Sequence, residues 1–562
     1  MSSISSLHDL DPDALYFIPL GGCEQFGINC NLYAFDGSLI MVDCGLGFAG
    51  QKLPGIDIIL PDLVSLDEYT DNLAGIVVTH AHEDHIGALP YLWPNLRAPI
   101  YCTKFSAQVL KSKFSDFPEC RGSKIKEIAA GKEFSVGPFT CLPVSMAHSI
   151  PETVSLVITA NKTRLFHSAD WNLDDRPVLG TTTDKNTLIK EGKKGISVYL
   201  GDSTNSLSPG YAGSESDVED GLEKVIGEQT RRVAVTLFSS NISRIQSITK
   251  AAHKCGRDVA LVGRSLHKMV ACARNSGYLK DIPDFVPESE IGLIPKDKIT
   301  IIMTGSQGEA KAAMSRIARG DYNGIHLESG DTAIFSAREI PGNEKAINEV
   351  KNNLKSRGVK IIDPSNAKHK IHVSGHPFQE EIKKMLEWIK PETVIPVHGE
   401  TMQITGQAEI ADECGVNNTL VPSNGSVIKL APGEVCMRGE VPVGILAVEP
   451  SRIISIDHKA ISERLKLQYT GVVHASVVVN GKGKLVGNQK ISTMGLFDND
   501  VPLDARLETQ LATEIKEIHD ELSMEERLDD QFTQEQIRIG LRRFVNHMLG
   551  IKPKVTVHLI RV

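Results

Sequence analysis

The segment Thr79-His80-Ala81-His82-Glu83-Asp84-His85 sets three imidazoles and the Asp84 carboxylate within six positions, directly after the apolar run Gly75-Ile76-Val77-Val78. A short apolar run of that kind reads as a strand. A strand that ends in such a cluster presents nitrogen and oxygen donors at one edge of a sheet. Imidazole with carboxylate suits zinc or a similar divalent ion. The donors outnumber those of one open catalytic site, so the pattern has room for two metals. A lone histidine near a strand end is ordinarily a surface or hydrogen-bonded residue; donors this dense are rarely that.

A chain of 562 residues is too long for one ordinary domain, and length alone suggests about three or four. Hydrophobic residues make up 41%, enough for several cores, while the net charge of -9 gives no global support for a polyanionic partner. Nucleic acid would have to be met by a local basic groove or by metal ions. The ten cysteines are scattered with no CxxC pair, which fits free thiols in a reducing cytosol. The start, Met1-Ser2-Ser3-Ile4-Ser5, lacks a basic region followed by an apolar core, so no signal peptide is expected. No apolar run approaches a membrane span. The expectation is a cytoplasmic protein with no membrane partner.

From about 14 to 205, short apolar runs alternate with Gly/Asp/Asn turns: Leu39-Ile40-Met41-Val42, 75–78, Leu156-Val157-Ile158 and Ser197-Val198-Tyr199-Leu200. Helix-like segments such as 107–114 lie between some of them, and the pattern predicts an α/β or α+β domain with a substantial sheet. A different texture runs over 206–361. There Val233-Ala234-Val235-Thr236-Leu237, Val259-Ala260-Leu261-Val262 and Thr300-Ile301-Ile302-Met303 alternate with helical stretches at 243–255 and 310–318. That rhythm predicts a parallel sheet covered by helices. Near the end, Leu507, Leu511, Ile515, Ile518 and Leu522, then Ile537, Leu541, Val545 and Met548, recur at helical spacing, and Val555, Val557 and Leu559 alternate as a strand. These stripes read as core. The expected division is 1–205 and 362–445 as two segments of one domain, 206–361 as an insertion, 446–460 as a linker, and 461–562 as a small α+β domain. The acidic run 521–530 reads as a solvated helix end or loop.

Other candidate donors also follow predicted strands: Asp43 after 39–42, His148 after 140–144, Asp170 after Arg164-Leu165-Phe166, and His398 after Thr393-Val394-Ile395-Pro396-Val397. Strands of one sheet that all end in polar donors build a site at one edge.

On these residues the chain resembles the metallo-β-lactamase superfamily, whose HxHxDH signature stands as His80, His82, Asp84 and His85. The closer resemblance is to the bacterial ribonuclease J family of the beta-CASP branch. It is carried by Leu20-Gly21-Gly22, Val42-Asp43-Cys44-Gly45, 55–62, 79–90, His148-Ser149-Ile150-Pro151, Asp202-Ser203-Thr204-Asn205 and Ser240-Asn241. It continues through Thr304-Gly305-Ser306-Gln307-Gly308-Glu309, Ile340-Pro341-Gly342-Asn343-Glu344, His372-Val373-Ser374-Gly375-His376 and Pro396-Val397-His398-Gly399-Glu400.

The resemblance implies a metallo-β-lactamase αββα sandwich with an inserted beta-CASP α/β domain and a C-terminal α+β domain. It implies two divalent ions, zinc or else manganese: one held by His80, His82 and His148, the other by Asp84, His85 and His398. Asp170 would bridge them and Asp43 would orient the ligands from behind. Asp84, His376 and Asp202 become the catalytic candidates, with Asp202 orienting His398 or water. Two ions sharing a carboxylate can hold a hydroxide at neutral pH for attack on a phosphodiester, and His376 can protonate the departing oxygen. Ser240 and the turn His372, Val373, Ser374, Gly375, His376 would grip phosphate without reading sequence. The implied activity is 5′-to-3′ exonuclease and endonuclease cleavage in RNA maturation and decay. The implied partners are single-stranded RNA with a 5′-monophosphate, a second copy or a tetramer of this chain, and other RNA-degradation proteins.

Three positions depart from the family pattern. Ser168-Ala169-Asp170-Trp171-Asn172 stands where relatives often have Thr-Gly-Asp-Phe-Lys. Gln25-Phe26-Gly27-Ile28-Asn29 replaces Glu-Ile-Gly-Lys-Asn, and Pro377-Phe378-Gln379 after His376 lacks a basic residue found in some relatives. Such losses bear on RNA binding more than on cleavage. Rival readings are a hydrolase of thioesters, lactones or β-lactams, which would lack the insertion; a DNA-directed beta-CASP nuclease, in which valine tends to replace His398; and a non-catalytic RNA-processing scaffold, which would have lost ligands.

Overall fold

The strands Leu15–Gly21, Cys30–Phe35, Ser38–Val42 and Leu73–Val77 are rich in Leu, Ile, Val and aromatic residues and are almost wholly buried. Runs apolar on both faces must be covered on both faces. In the computed structural model, which describes residues 4–50, 53–498 and 500–562 and leaves aside the side chains of 502, 503, 505, 507 and 508, they lie in an eight-stranded sheet. A seven-stranded sheet contains Phe139–Ser145, Val154–Ala160, Thr163–His167, Val198–Asp202 and Thr393–Val397. Side chains of both sheets share one core, with Phe17, Tyr33, Ile40, Val42 and Val77 from the first and Cys141, Leu156, Leu165, Val198, Leu200 and Ile395 from the second. Helices cover the outer faces: Leu89–Leu96 and Lys104–Phe114 on the first sheet, Lys185–Lys193, Gln379–Ile389 and Thr401–Glu413 on the second. The layers are helix, sheet, sheet, helix, the αββα sandwich the sequence led us to expect.

A third sheet is all parallel, in the order Asp258–Val262, Ile299–Met303, Val233–Thr236, Thr332–Phe335 and Lys360–Ile362. Its helices Glu215–Gly227, Ile242–Lys254 and Arg264–Ser276 pack on one face, and Ala313–Arg319 and Glu344–Ser356 on the other. This is the βαβ insertion. The chain leaves the second sheet at Asp202 and returns to it at Thr393, and the two strands pair in parallel with Val198 opposite Thr393 and Asp202 opposite Val397. That register sets His398 beside Asp202 although the two are far apart in sequence.

The chain divides into two compact units, one of 1–48 with 58–448 and one of 49–57 with 449–562. The stretch 446–460, expected as a linker, instead carries the end of strand Gly444–Glu449, strand Arg452–Ser455 and the start of helix Lys459–Thr470. The apolar residues Ile445, Leu446, Ala447 and Val448 form ladder pairs with 58–61. The second unit takes in 49–57, which the sequence reading left with the first domain. Its sheet, Lys490–Met494, Val472–Val479 and Lys554–Arg561, is packed by Pro502–Glu521 and Asp530–Leu549. Leu511, Ile515, Ile537, Leu541, Val545, Val555 and Val557 are buried there, as their spacing predicted. Met548 departs from the stripe: it is exposed in the last turn of its helix. The side chain of Leu507 lies outside the described residues. The acidic run 521–530 forms a helix end, a short 3-10 turn and the next helix start.

Candidate active site

Every candidate donor except those of the His80–His85 turn itself sits at, or a few residues beyond, the end of a strand of the sandwich. Asp43, Ala169 and His398 adopt left-handed backbone conformations, with φ of 63°, 49° and 56°. Such residues cost on the order of 1–3 kcal/mol each. Each fully buried aliphatic side chain of the core between the sheets contributes about as much in the opposite sense, so the scaffold holds these turns. Gly45 is required for the same reason: a Cβ there would meet the Asp84 carbonyl oxygen, which lies against it.

His80 Nε2, His82 Nδ1 and His148 Nε2 converge, with the first and third 3.1 and 3.0 Å from the second. Asp170 Oδ2 faces them at 3.5 Å from His80 and 3.6 Å from His148. On the other side, Asp170 Oδ1 lies 3.3 Å from His85 Nε2 and 2.8 Å from His398 Nδ1, and Asp84 Oδ2 lies 3.5 Å from His85 and 3.3 Å from His398. The structure thus brings three groups of metal-binding donors together, each including Asp170: the two just described, and a third of Asp170, Asp202, His376 and His398. A tetrahedral shell with bonds of about 2.0–2.1 Å sets neighbouring ligand atoms about 3.4 Å apart, close to these spacings. Asp170 Oδ1 and His398 Nδ1, though 2.8 Å apart, make no hydrogen bond and are buried without another partner. Both keep unused binding capacity, which a shared cation would satisfy. The residues present fit divalent ions.

Electrostatics agrees. Burial lowers the pKa of His80 and His148 and brings His82 to about 3, so these imidazoles are neutral and offer lone pairs. Burial also opposes charge on His85 and His398, but Asp170 and its neighbouring carboxylates outweigh it, raising His85 and taking His398 to about 10. The second half of the site therefore favours positive charge strongly.

Outer partners fix the rings. Asp43 accepts from the Thr79 amide at 2.8 Å, the Thr79 hydroxyl at 2.8 Å and His85 Nδ1 at 2.7 Å, leaving His85 Nε2 for the centre. His148 Nδ1 donates to the Gly375 carbonyl at 2.7 Å. A Cβ on Gly375 would stand 2.7 Å from that ring, so only glycine fits. Asp202 accepts from His376 Nδ1 at 2.8 Å and from the Thr204 amide and hydroxyl. Asp202 faces both histidines: besides its bond to His376 it lies 3.8 Å from His398 Nδ1, and its charge helps to raise the His398 pKa. Burial lowers the His376 pKa, but Asp202 and then Asp170 raise it overall. Its side chain is 23% exposed, so the imidazole reaches the open side.

The turn at 372–376 is less uniform than its sequence suggested. Ser374 Oγ accepts from Asn205 Nδ2 at 2.8 Å and from the His376 amide at 3.1 Å. Val373 is half-buried and packs on the inserted domain's core beside Ile371. His372 Nδ1 faces Arg244 at 3.3 Å, and its Nε2 is buried without a partner. Ser240 sits in the turn before helix Ile242–Lys254, with its carbonyl accepting from the Ile242 amide.

Several contributors were not anticipated. Asn29 donates to Asp84 at 3.3 Å and stands 3.1 Å from His85 Nε2. Asn172 donates to the Ser374 carbonyl at 3.2 Å. Arg244, 0% exposed, bonds both oxygens of Glu215 at 2.6 and 2.8 Å and also the Ser336 and Ile371 carbonyls. It ties the inserted domain to the start of the turn.

A two-sheet sandwich whose strand ends gather such a donor set, interrupted by a parallel-sheet insertion, defines a metallo-hydrolase of the beta-CASP type. Comparison with known proteins agrees. A beta-lactamase superfamily domain matches residues 39–188, a ribonuclease J beta-CASP domain 230–354, a Zn-dependent metallo-hydrolase RNA specificity domain 364–422 and a ribonuclease J C-terminal domain 459–562. The ribonuclease J of Sinorhizobium meliloti is 39% identical over the whole of both chains. That of Mycolicibacterium smegmatis is 35% identical over 88% of this chain and 89% of its own. A solved Enterococcus faecalis protein of unknown function shares the fold at a TM-score of 0.52 and 16% identity, covering 75% of this chain and 100% of its own. The chain belongs to the ribonuclease J family. It is a ribonuclease that binds RNA and uses divalent metal. Among the described residues no helix is long and apolar enough to cross a membrane.

Proposed function

We propose that the chain degrades RNA from the 5′ end towards the 3′ end, cleaves internally at the same centre, and prefers a 5′-monophosphate. One observation carries the reading: two donor sets share the Asp170 carboxylate, and the Asp202–His376 pair stands beside them. His80, His82 and His148 are assigned to one ion, Asp84, His85 and His398 to a second, and Asp170 to both. Zinc is the first choice for this donor set and manganese the second. Ions held there supply Lewis acidity, which neutralises charge building on phosphate oxygens and lowers the pKa of water.

The chain's own groups do the rest. Asp84, whose side chain is 31% exposed, orients water at the open side. Asp202 holds His376 through Nδ1, leaving Nε2 free to give its proton to the departing oxygen. The Ser374 hydroxyl and the amides of the turn hold phosphate, with the Ser240 hydroxyl a further candidate. Retention of His398 supports RNA over DNA as substrate, and the complete donor set speaks against a scaffold. Assembly as a dimer or tetramer through the C-terminal domain is part of the same proposal.

The test compares one RNA sequence bearing a 5′-monophosphate or a 5′-triphosphate. Faster shortening of the monophosphate is expected. Equal rates would end the case for a 5′-phosphate pocket.

A further inference from the structure

The turn at 372–376 is followed by no basic residue of its own, since Pro377-Phe378-Gln379 comes directly after His376. A cation nevertheless stands beside it, supplied by the inserted domain. Arg338 lies just past strand Thr332–Phe335, at the carboxyl end of the parallel sheet, where open α/β sheets commonly bind ligands. Its Nη1 donates to the side-chain oxygen of buried Asn205. Asn205 in turn donates to Ser374 Oγ at 2.8 Å and to the His376 carbonyl at 3.3 Å. The Arg338 backbone is fixed as well: its carbonyl accepts from Gln307 Nε2 at 2.9 Å, and Gln307 Oε1 accepts from the Ile340 amide at 2.9 Å.

What distinguishes Arg338 is the lack of a counter-charge. Asn205 is its only side-chain partner among the described residues, and no carboxylate lies within ion-pair distance. Neighbouring Glu339 is engaged by Lys351 at 2.8 Å. Arg244, the other arginine near the turn, is neutralised by Glu215. Desolvation alone sets the pKa of Arg338, lowering it with no acid to offset the effect. The side chain also keeps an exposed side. An exposed guanidinium with unused N–H groups, tied through Asn205 to the Ser374 hydroxyl and the His376 carbonyl, is complementary to a doubly charged phosphate and can bind two of its oxygens at once.

We propose that Arg338 is the specificity-determining contact for the 5′-terminal monophosphate, reaching across from the inserted domain to close a pocket whose other wall is the Ser374–His376 turn. It takes the place of the basic residue missing after His376. The proposal rests on the 5′-monophosphate preference above, and its test separates the two.

Wild type, Arg338→Gln and Arg338→Lys are assayed for kcat/KM on one RNA carrying either a 5′-monophosphate or a 5′-hydroxyl. Loss of a charge-assisted, two-point phosphate contact predicts that the ratio of the two values falls by about tenfold or more in Arg338→Gln. Arg338→Lys keeps the charge without the planar fork and should fall in between. A wild-type ratio near one overturns the underlying preference. A wild-type preference that Arg338→Gln retains overturns the role of Arg338. A fall on both RNAs by the same factor also overturns it, since that is the signature of an internal phosphate contact or a structural defect.

Discussion

Two sheet ends meet at the site, and they are furnished differently. At the end of the sandwich stand His80, His82, His148, Asp170, His85, His398 and Asp84, packed so closely that the donor atoms of each group lie within 4.8 Å of one another. Burial and the Asp170 carboxylate decide their charge. The end of the parallel sheet offers hydroxyls, carboxamides and guanidinium groups: Ser240, Gln307, Arg338, and Arg244 within its helix. The first arrangement suits Lewis-acid chemistry on any phosphodiester. The second suits holding a phosphate in one place. Under the proposed function the sandwich would perform the reaction and the insertion would select the end to be cut, with the turn at 372–376 as the seam between them.

The division predicts that damage at the sandwich end abolishes cleavage of every RNA alike. Asp170→Asn removes the one carboxylate facing both donor sets. Losing an outer ligand partner costs about 10- to 100-fold, so loss of this shared carboxylate should lower RNA cleavage by at least about a thousandfold, equally for 5′-monophosphate and 5′-hydroxyl ends. Metal analysis of the purified variant should show fewer ions than in the wild type. Cleavage within tenfold of wild type, with metal content unchanged, would show that Asp170 is not shared between ions.

The insertion's grip on the seam is tested by Glu215→Ala, which leaves Arg244 buried and uncompensated. Breaking a buried pair by removing one partner costs about 3–5 kcal/mol, and the urea midpoint of unfolding should fall accordingly. The double variant Glu215→Leu with Arg244→Leu should recover much of that stability. It should still discriminate poorly between 5′ ends, because the Ser336 and Ile371 carbonyls lose the guanidinium that ties them together. Full discrimination in the double variant would mean that the turn holds its shape without the inserted domain.

The two regions also differ in how far their residues announce themselves. Each sandwich donor follows an apolar run, and alternation of such runs with turns was enough to place Asp43, His148, Asp170 and His398 at strand ends. The βαβ rhythm gave the parallel sheet, and the helical stripes gave the core of the second unit. Arg244 carried no such sign. In the helix Ile242–Lys254 it reads as an ordinary polar residue, and its partners Glu215, Ser336 and Ile371 lie 29, 92 and 127 residues away. Arg338 was equally hidden, and Asn29 and Asn205 stood in recognised motifs without a role, since what each does depends on which chain segment folds against it. A loop motif says which residues are adjacent, not which side faces a core, so the packing of the Val373 side chain was not legible in it.

The smallest expected effect lies on the seam itself. Burial, and after it the charges of Arg244 and Arg338, hold the pKa of His372 well below its ordinary value. The folded chain therefore refuses a proton that the unfolded chain accepts below about pH 6.5. Protons bound in excess by the unfolded state make stability fall as pH drops, so this group's contribution is complete above about pH 6.5 and is lost progressively beneath it. At most one proton is involved, which limits the slope to about 1.4 kcal/mol per pH unit. His372→Gln should reduce the fall in the urea midpoint between pH 7 and pH 5 relative to wild type, the other histidines acting equally in both. An identical pH dependence in the two proteins would mean that His372 is protonated in the folded state, and the seam would then carry a second cation beside Arg338.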